Sequence, residues 1–251
     1  MAAGTATARW IRSRRPSPAA AVNLVLLPHA GGSAGYYRAW HELMPQQVEL
    51  HAVQYPGRED RFGEAPLDGM AEMADAVTEA IRPLFSREVV LFGHSMGASI
   101  AYEVALRCTA AGLRPRLLIV SGRAAPHRQP PAEHWAAPDA ELLAEVRRQS
   151  GDTSAALDDP DLRELLLPMI RADYKLAETH RVPPGTALEL PIAVLRGRGD
   201  AEVDDEQARA WGELTADACS QHVFDGGHFY FEQGPARVID TVVALVGRAL
   251  R

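Results

Sequence analysis

Cysteine, long hydrophobic runs and basic charge are all scarce in this chain. Two cysteines, Cys108 and Cys219, occur among 251 residues, and neither sits at a metal-ligand or redox spacing. That argues against a disulfide framework and a metal site, and two reduced thiols are expected. No apolar run approaches the ~20 residues that a membrane span needs. The arginines near the start (Arg9, Arg12, Arg14 and Arg15) are not followed by an apolar core of signal-peptide length. No secretory signal and no membrane association are therefore expected, and a cytoplasmic location is. Lys and Arg number 26 against 33 Asp and Glu, a net charge of −7. This balance argues against a nucleic-acid partner, which needs a basic surface. Internal repeats are absent too.

What is present is the composition of an ordinary globular protein, 47% hydrophobic and 24% charged, with enough apolar material for a core. The length suits one domain with room for an insertion. Short, continuous apolar runs recur at 22–27, 50–55, 89–92, 117–121, 192–195 and 222–224. Continuity, rather than alternation, marks strands covered on both faces. Helical spacing appears between them at 36–44, 67–85, 98–107, 204–214 and 235–250. The alternation predicts an α/β fold with a mostly parallel central sheet flanked by helices. From 124 to 188 the rhythm fails. This stretch opens with Pro126, Pro130, Pro131 and Pro138, carries two amphipathic segments at 139–149 and 160–178, and closes on Pro183-Pro184-Gly185. It is too long for a single crossover and reads as a helical lid insertion. The expected organisation is an N-terminal extension at 1–21, a core at 22–123 and 189–251, and a lid at 124–188.

One pentapeptide carries chemistry. Gly93-His94-Ser95-Met96-Gly97 follows the run Val89-Val90-Leu91-Phe92 and precedes a helical segment. Strand, sharp turn and helix is the setting of a nucleophile elbow, whose glycines leave room beside an exposed serine hydroxyl. A serine needs a base, and the base needs an orienting acid. At such an elbow they follow in the order serine, acid, histidine. His228, in Asp225-Gly226-Gly227-His228-Phe229 past the last strand, is the expected base. Asp200, in Gly197-Arg198-Gly199-Asp200 after the run 192–195, is the expected acid. Asp204 and Asp205 compete with it, though Asp204 suits a helix N-cap; Asp225 is too close to His228 along one loop. The oxyanion of acyl transfer needs two N–H donors. Met96, after the serine, offers one; Ala30, in Pro28-His29-Ala30-Gly31-Gly32-Ser33, offers the other. Gly31 and Gly32 let the backbone approach a substrate. His29 and His94 are read as packed residues that shape the two turns.

These residues together resemble a known family. The set Pro28-His29-Ala30-Gly31-Gly32-Ser33-Ala34, Tyr55-Pro56-Gly57-Arg58, Gly93-His94-Ser95-Met96-Gly97, Leu167-Pro168-Met169-Ile170-Arg171-Ala172-Asp173 and Gly226-Gly227-His228-Phe229 looks like a type II thioesterase, a discrete editing enzyme of polyketide and nonribosomal peptide pathways. The likeness runs from about residue 9 onward. It implies an α/β-hydrolase fold with a helical lid, and hydrolysis of acyl groups from the phosphopantetheine arm of acyl or peptidyl carrier proteins, which clears stalled or wrong units. Ser95, Asp200 and His228 fall where the family has its triad, Ala30 and Met96 where it has its oxyanion donors. His29, Gly31, Arg58 and Phe229 are the expected substrate contacts, and Arg58, Arg61, Arg123 and Arg128 candidates for carrier docking. No cofactor of the protein's own and no metal are expected, and a monomer is. Two other readings stay open: a general carboxylesterase or medium-chain fatty acyl thioesterase with the same triad, and a non-catalytic carrier-binding module.

Overall fold

The computed structural model describes residues 2–150, 157–183, 186–232 and 234–251. Seven strands form one sheet in the order β1-β3-β2-β4-β5-β6-β7. They are β1 Ile11–Arg12, β2 Val22–Leu27, β3 Val48–Val53, β4 Glu88–His94, β5 Leu117–Ser121, β6 Ile192–Gly197 and β7 Cys219–Phe224. All pairings are parallel except β1 with β3. The helices are α1 Ala2–Trp10, α2 Trp40–Leu43, α3 Met70–Ile81, α4 Met96–Ala110, α5 Asp139–Ser150, α6 Pro160–Thr179, α7 Asp205–Arg209 and α8 Pro235–Ala249. The order is that of the expected mostly parallel α/β sheet flanked by helices.

The central strands β2 and β5 are buried along their whole length and β4 from Val89 onward, as their largely apolar runs require. One face packs α3 and α4 through Met73, Val77, Ile100, Ala101 and Val104. The other packs α8 and the aromatic group Tyr37, Trp40, Phe92 and Phe231. Differences from the expected elements have local causes. The edge strand β7 alternates in burial, so only its last three residues stood out as an apolar run. The predicted helix 67–85 ends as α3 at Ile81 and continues as a 3₁₀ turn over Arg82–Ser86, because Pro83 lacks the N–H an α-helix needs. The segment 36–44 splits into a 3₁₀ turn, Ala34–Tyr37, and the short α2. Trp10 and Ile11 of the expected N-terminal extension join the core. Ile11 and Arg12 pair with Val53 and Ala52, and the Trp10 ring lies under Arg61.

The segment 124–188 carries no strand among its described residues. It contributes α5 and α6, whose Leu142, Leu143, Leu167, Met169 and Ile170 form an apolar cluster apart from the two layers of the sheet. Residues 151–156 and the predicted closing joint at Pro184-Gly185 lie outside the described residues. Among the described residues no helix is long and apolar enough to cross a membrane.

Sheet order prepares a site. Strand order reverses at β2, which lies between β3 and β4, and open parallel sheets bind ligands at the carboxyl ends of the strands beside such a reversal. There Leu27 pairs with Gly93, which sets the Pro28 loop against the Ser95 turn. At the other side Gly197 pairs with Phe224, which sets the Asp200 loop against the His228 loop.

Candidate active site

Ser95 sits between β4 and α4 at φ 52°, ψ −120°, a region that costs a non-glycine residue on the order of 1–3 kcal/mol. The turn is over-determined by its surroundings. Ser95 N–H donates to the Ser121 carbonyl at 2.8 Å, and the Ser95 carbonyl accepts from Ala98 N–H at 2.9 Å. A Cβ at Gly93 would stand 2.1 Å from the Gly97 carbonyl oxygen, and one at Gly97 2.0 Å from that of Leu27. Both glycines of the motif are therefore steric necessities. Met96 opens α4, where an N–H has no partner within the helix.

The Pro28–Ser33 loop makes a tight turn. Gly32 N–H donates to the His29 carbonyl at 3.0 Å, and Gly31 takes φ +76°, the value that suits glycine at the third position of a type II turn. Gly31 N–H donates to Asp173 Oδ2 at 2.7 Å. Ala30 N–H has no acceptor among the described residues. The loop is supported from below by the stretch after β3. Tyr55 Oη donates to the Pro28 carbonyl at 3.2 Å, Gln54 Oε1 accepts from Ala34 N–H at 2.9 Å, and Arg58 donates to the Gly32 carbonyl at 3.0 Å.

His228 and Asp200 meet as expected. His228 Nδ1 lies 3.0 and 3.1 Å from the two Asp200 carboxylate oxygens, and both residues are under a tenth exposed. Asp200 Oδ1 also accepts from Glu202 N–H at 2.9 Å. His228 Nε2 is buried without a hydrogen-bond partner, and His228, Ser95, Met96 and Ala30 line one cavity. The serine and histidine thus share a cavity, and no hydrogen bond joins them in this structure. The competing acids are committed elsewhere: Asp204 caps α7 by accepting from Gln207 N–H, Asp205 pairs with Arg196, and Asp225 faces Arg198.

Two further histidines surround this pair. His94 is fully buried, its Nδ1 2.9 Å from Ser121 Oγ, which in turn lies 2.8 Å from Tyr230 Oη. Burial, and then the neighbouring His228 and His29, hold it well below the ordinary imidazole range. His29 packs edge-on against Tyr36 and Phe229, and burial pushes it down to about 3. Both are neutral, packed residues, in keeping with the shaping role read from the sequence.

Ser95 lies where two cavities adjoin; Ala30, Gln149 and Tyr174 also line both. The larger, about 390 Å³, is walled by Val146, Leu157, Leu166, Met169, Ile170 and Phe229, with His29 and Gly31 at its edge. The smaller, about 60 Å³, is polar and takes Arg123, His134, Glu145 and Glu178.

The arginine expectations need correction. Arg58 is 4% exposed and lines neither of these cavities. Its guanidinium grips the Asp173 carboxylate with two bonds of 2.7 Å, so it is committed inside the protein and does not present an exposed docking surface. Arg61 is likewise buried, bonded to Glu64 and the Gln54 carbonyl. Arg123 is half-buried at the small cavity, bonded to Ser99 Oγ and the Ala177 carbonyl, and burial lowers it to about 10. Arg128 is the exposed one of the four, facing Glu213. The buried partnership of Arg58 with Asp173 was missed. A signal existed: Asp173 stands on the apolar face of α6 with Ile170 and Ala177, where an acid requires a partner.

Comparison with known proteins shows the family. The family model described as "Thioesterase domain" matches residues 22–246. The chain is 41% identical over 223 residues to "Thioesterase PikA5" of Streptomyces venezuelae, covering 88% of this chain and 79% of that one. It is 37% identical over 243 residues to the "Probable cadicidin biosynthesis thioesterase" of Streptomyces griseus, covering 97% of this chain but 66% of the relative, just under two thirds of its length. Among solved structures, the type II thioesterase BorB from the borrelidin biosynthetic cluster superposes with a TM-score of 0.84 at 39% identity, covering 94% and 95% of the two chains.

Proposed function

From the thioesterase family, to which this chain belongs, we propose a type II editing thioesterase of a polyketide or nonribosomal peptide pathway. Its substrates are acyl groups held as thioesters on the phosphopantetheine arm of acyl or peptidyl carrier proteins. The observation that carries the reading is the Asp200–His228 pair, whose free Nε2 faces the cavity it shares with the strained Ser95. The pathway part of the reading is supported by relatives described as a type II thioesterase of a biosynthetic cluster and as a probable biosynthesis thioesterase.

The chemistry follows from the arrangement. His228 takes the Ser95 proton through Nε2 as the hydroxyl oxygen attacks the thioester carbonyl. The carbonyl oxygen becomes an oxyanion and rests on the N–H groups of Ala30 and Met96; loss of one such donor typically costs ~10²–10³ in rate. The tetrahedral intermediate expels the thiolate, which takes the proton from His228, and an acyl-serine remains. Water, deprotonated by His228, attacks the acyl carbonyl, and its collapse releases the acid and returns the proton to Ser95. Asp200 holds the imidazole with Nε2 free and stabilises the imidazolium. The larger cavity, apolar and beside Ser95, receives the acyl chain. No cofactor of the protein's own takes part.

A matched comparison of kcat/KM tests the reading, using one acyl group on a phosphopantetheinylated carrier protein, on a small thiol and as an oxygen ester. A large preference for the carrier substrate is expected, since contacts remote from the carbonyl are then used. Equal or faster cleavage of the small ester would point to a general esterase. Ser95→Ala should lose turnover by on the order of 10⁴-fold or more with an unchanged melting transition. Failure of a fluorophosphonate to label Ser95 would favour a non-catalytic binding module.

A further inference from the structure

We propose that Asp173 and Arg58 are positioning residues of the oxyanion hole, the α6 carboxylate and its arginine anchoring the turn that carries Ala30 N–H through Gly31 and Gly32. This rests on the reading of Ser95 as nucleophile and of Ala30 N–H as an oxyanion donor. Types I and II of a tight turn differ mainly in the facing of the central peptide. In the turn closed by Gly32 N–H on the His29 carbonyl, that peptide joins Ala30 to Gly31. Its N–H points at Asp173 Oδ2, 2.7 Å away, so its carbonyl points the other way. A flip would aim the Ala30 carbonyl at a carboxylate that is fully buried, and would take that carboxylate's main-chain donor away. Both effects disfavour it.

Arg58 makes the lock rigid. One guanidinium nitrogen donates to Asp173 Oδ2 and also to the Gly32 carbonyl, and another to Asp173 Oδ1. Two planar groups joined by a fork have a defined orientation, and the loop is gripped on both sides of the Gly31 Cα. The Asp173 carboxylate therefore acts on the reaction through Gly31 and Ala30, at one remove from the substrate. Preorganisation is what gives an oxyanion donor its value, and a turn released at Gly31 N–H and the Gly32 carbonyl leaves the adjoining Ala30 N–H less firmly placed.

The test uses Asp173→Asn and, because a lone change strands a buried charge, the double variant Arg58→Met with Asp173→Leu. Buried ion pairs exchanged for apolar residues of similar volume commonly leave a folded protein. Activity is expressed per active site titrated with a fluorophosphonate, so that lost folding does not count as lost catalysis. Both variants should lose about 10- to 100-fold in kcat, less than outright loss of a donor, with little change in KM. Affinity for an alkyl trifluoromethyl ketone, whose adduct with Ser95 carries an oxyanion, should fall by the same factor, while affinity for the product acid stays the same. Titrated sites with wild-type kcat and ketone affinity, whatever the melting temperature, would overturn the proposal and leave the pair a plain anchor. Ser95→Ala run in parallel separates the two readings. An active Ser95→Ala overturns the nucleophile and this proposal with it; an inactive one beside a fully active Asp173→Asn overturns this proposal alone.

Discussion

The helical segment over the active site is fastened at two places by contacts of opposite kind. Under α6, Asp173 is fully buried and takes three bonds of 2.7 Å from Arg58 and Gly31, while Leu176 and Ala177 of the same helix belong to the main core. Toward the end of α5, Arg148 reaches Glu145 and Glu202, and Arg147 reaches Asp158, with both arginines nearly half exposed. The first fastening holds the loop that carries Ala30. The second touches the loop that carries Asp200, since Glu202 N–H bonds Asp200. Breaking a buried pair leaves a stranded charge and costs a great deal; parting exposed ions costs little. Pro168 lies between the two in α6 and has no N–H to continue the helical ladder. The segment is thus held to the Ala30 loop through a buried pair and to the Asp200 loop through exposed ions.

The largest effect expected from this contrast is on stability. Arg58→Ala should cost about 3–5 kcal/mol, because Asp173 keeps its charge and loses its partner inside the protein. At roughly 2–4 °C per kcal/mol for a domain of this size, the melting temperature drops by on the order of 10 °C. Urea titration of Arg58→Ala beside Arg148→Ala measures the contrast directly. Equal losses at the two sites would show that the fastenings do not differ.

Acid sharpens the comparison, because the loop held by the buried fastening contains a histidine kept neutral by burial. His29, in the oxyanion loop, is pushed down to about 3. His51, bonded to Ser13 and Asn23 beneath the sheet edge, is pushed down to about 4, again chiefly by burial. For both, the folded value lies below the ordinary 6.5. The unfolded chain therefore binds more protons below that pH, and the unfolded state gains. Their contribution is complete above pH 6.5 and is lost as pH falls toward 4 and then 3. The melting temperature of the wild type should decline through this window, and less steeply in His29→Asn. A His29→Asn profile parallel to the wild type would remove the loop histidine as a cause of acid sensitivity.

Legibility followed burial and sequence distance. The strands β2 and β5 stood out because both their faces are covered and their apolar runs are unbroken. The edges were obscure: β1 is two residues long, and β7 alternates in burial. Ser95, Asp200 and His228 were marked by glycine-rich turns following apolar runs, a local signal for a non-local site. For the Arg58–Asp173 pair the local signal went only halfway: an acid on the apolar face of α6 calls for a partner, but 115 positions separate it from Arg58, and only the fold shows which residue answers it. The lid helices were legible as amphipathic segments, whereas their two fastenings depend on side chains that meet across elements.

The smallest expected effect concerns the exposed fastening, where it is kinetic rather than thermodynamic. Arg148 holds Glu145 one turn away on α5 and Glu202 on the acid loop, and its side chain is 48% exposed. Arg148→Ala should therefore cost no more than about 1 kcal/mol in urea titration. Its consequence lies in access to Ser95. If the α5 end must part from the Glu202 loop before a carrier-borne acyl group can enter, weakening that contact raises the rate of opening. Salt should do the same to the wild type, because exposed ion pairs are screened within about 10 Å at 0.1 M ionic strength, whereas the buried Arg58–Asp173 pair is screened much less. A rise in kcat/KM of a few-fold between low and moderate salt, for a small-thiol thioester so that carrier docking does not contribute, is the expected wild-type behaviour. Arg148→Ala should start near the high-salt value and respond less. An Arg148→Ala enzyme with the wild-type salt response would place any opening somewhere other than the α5 end.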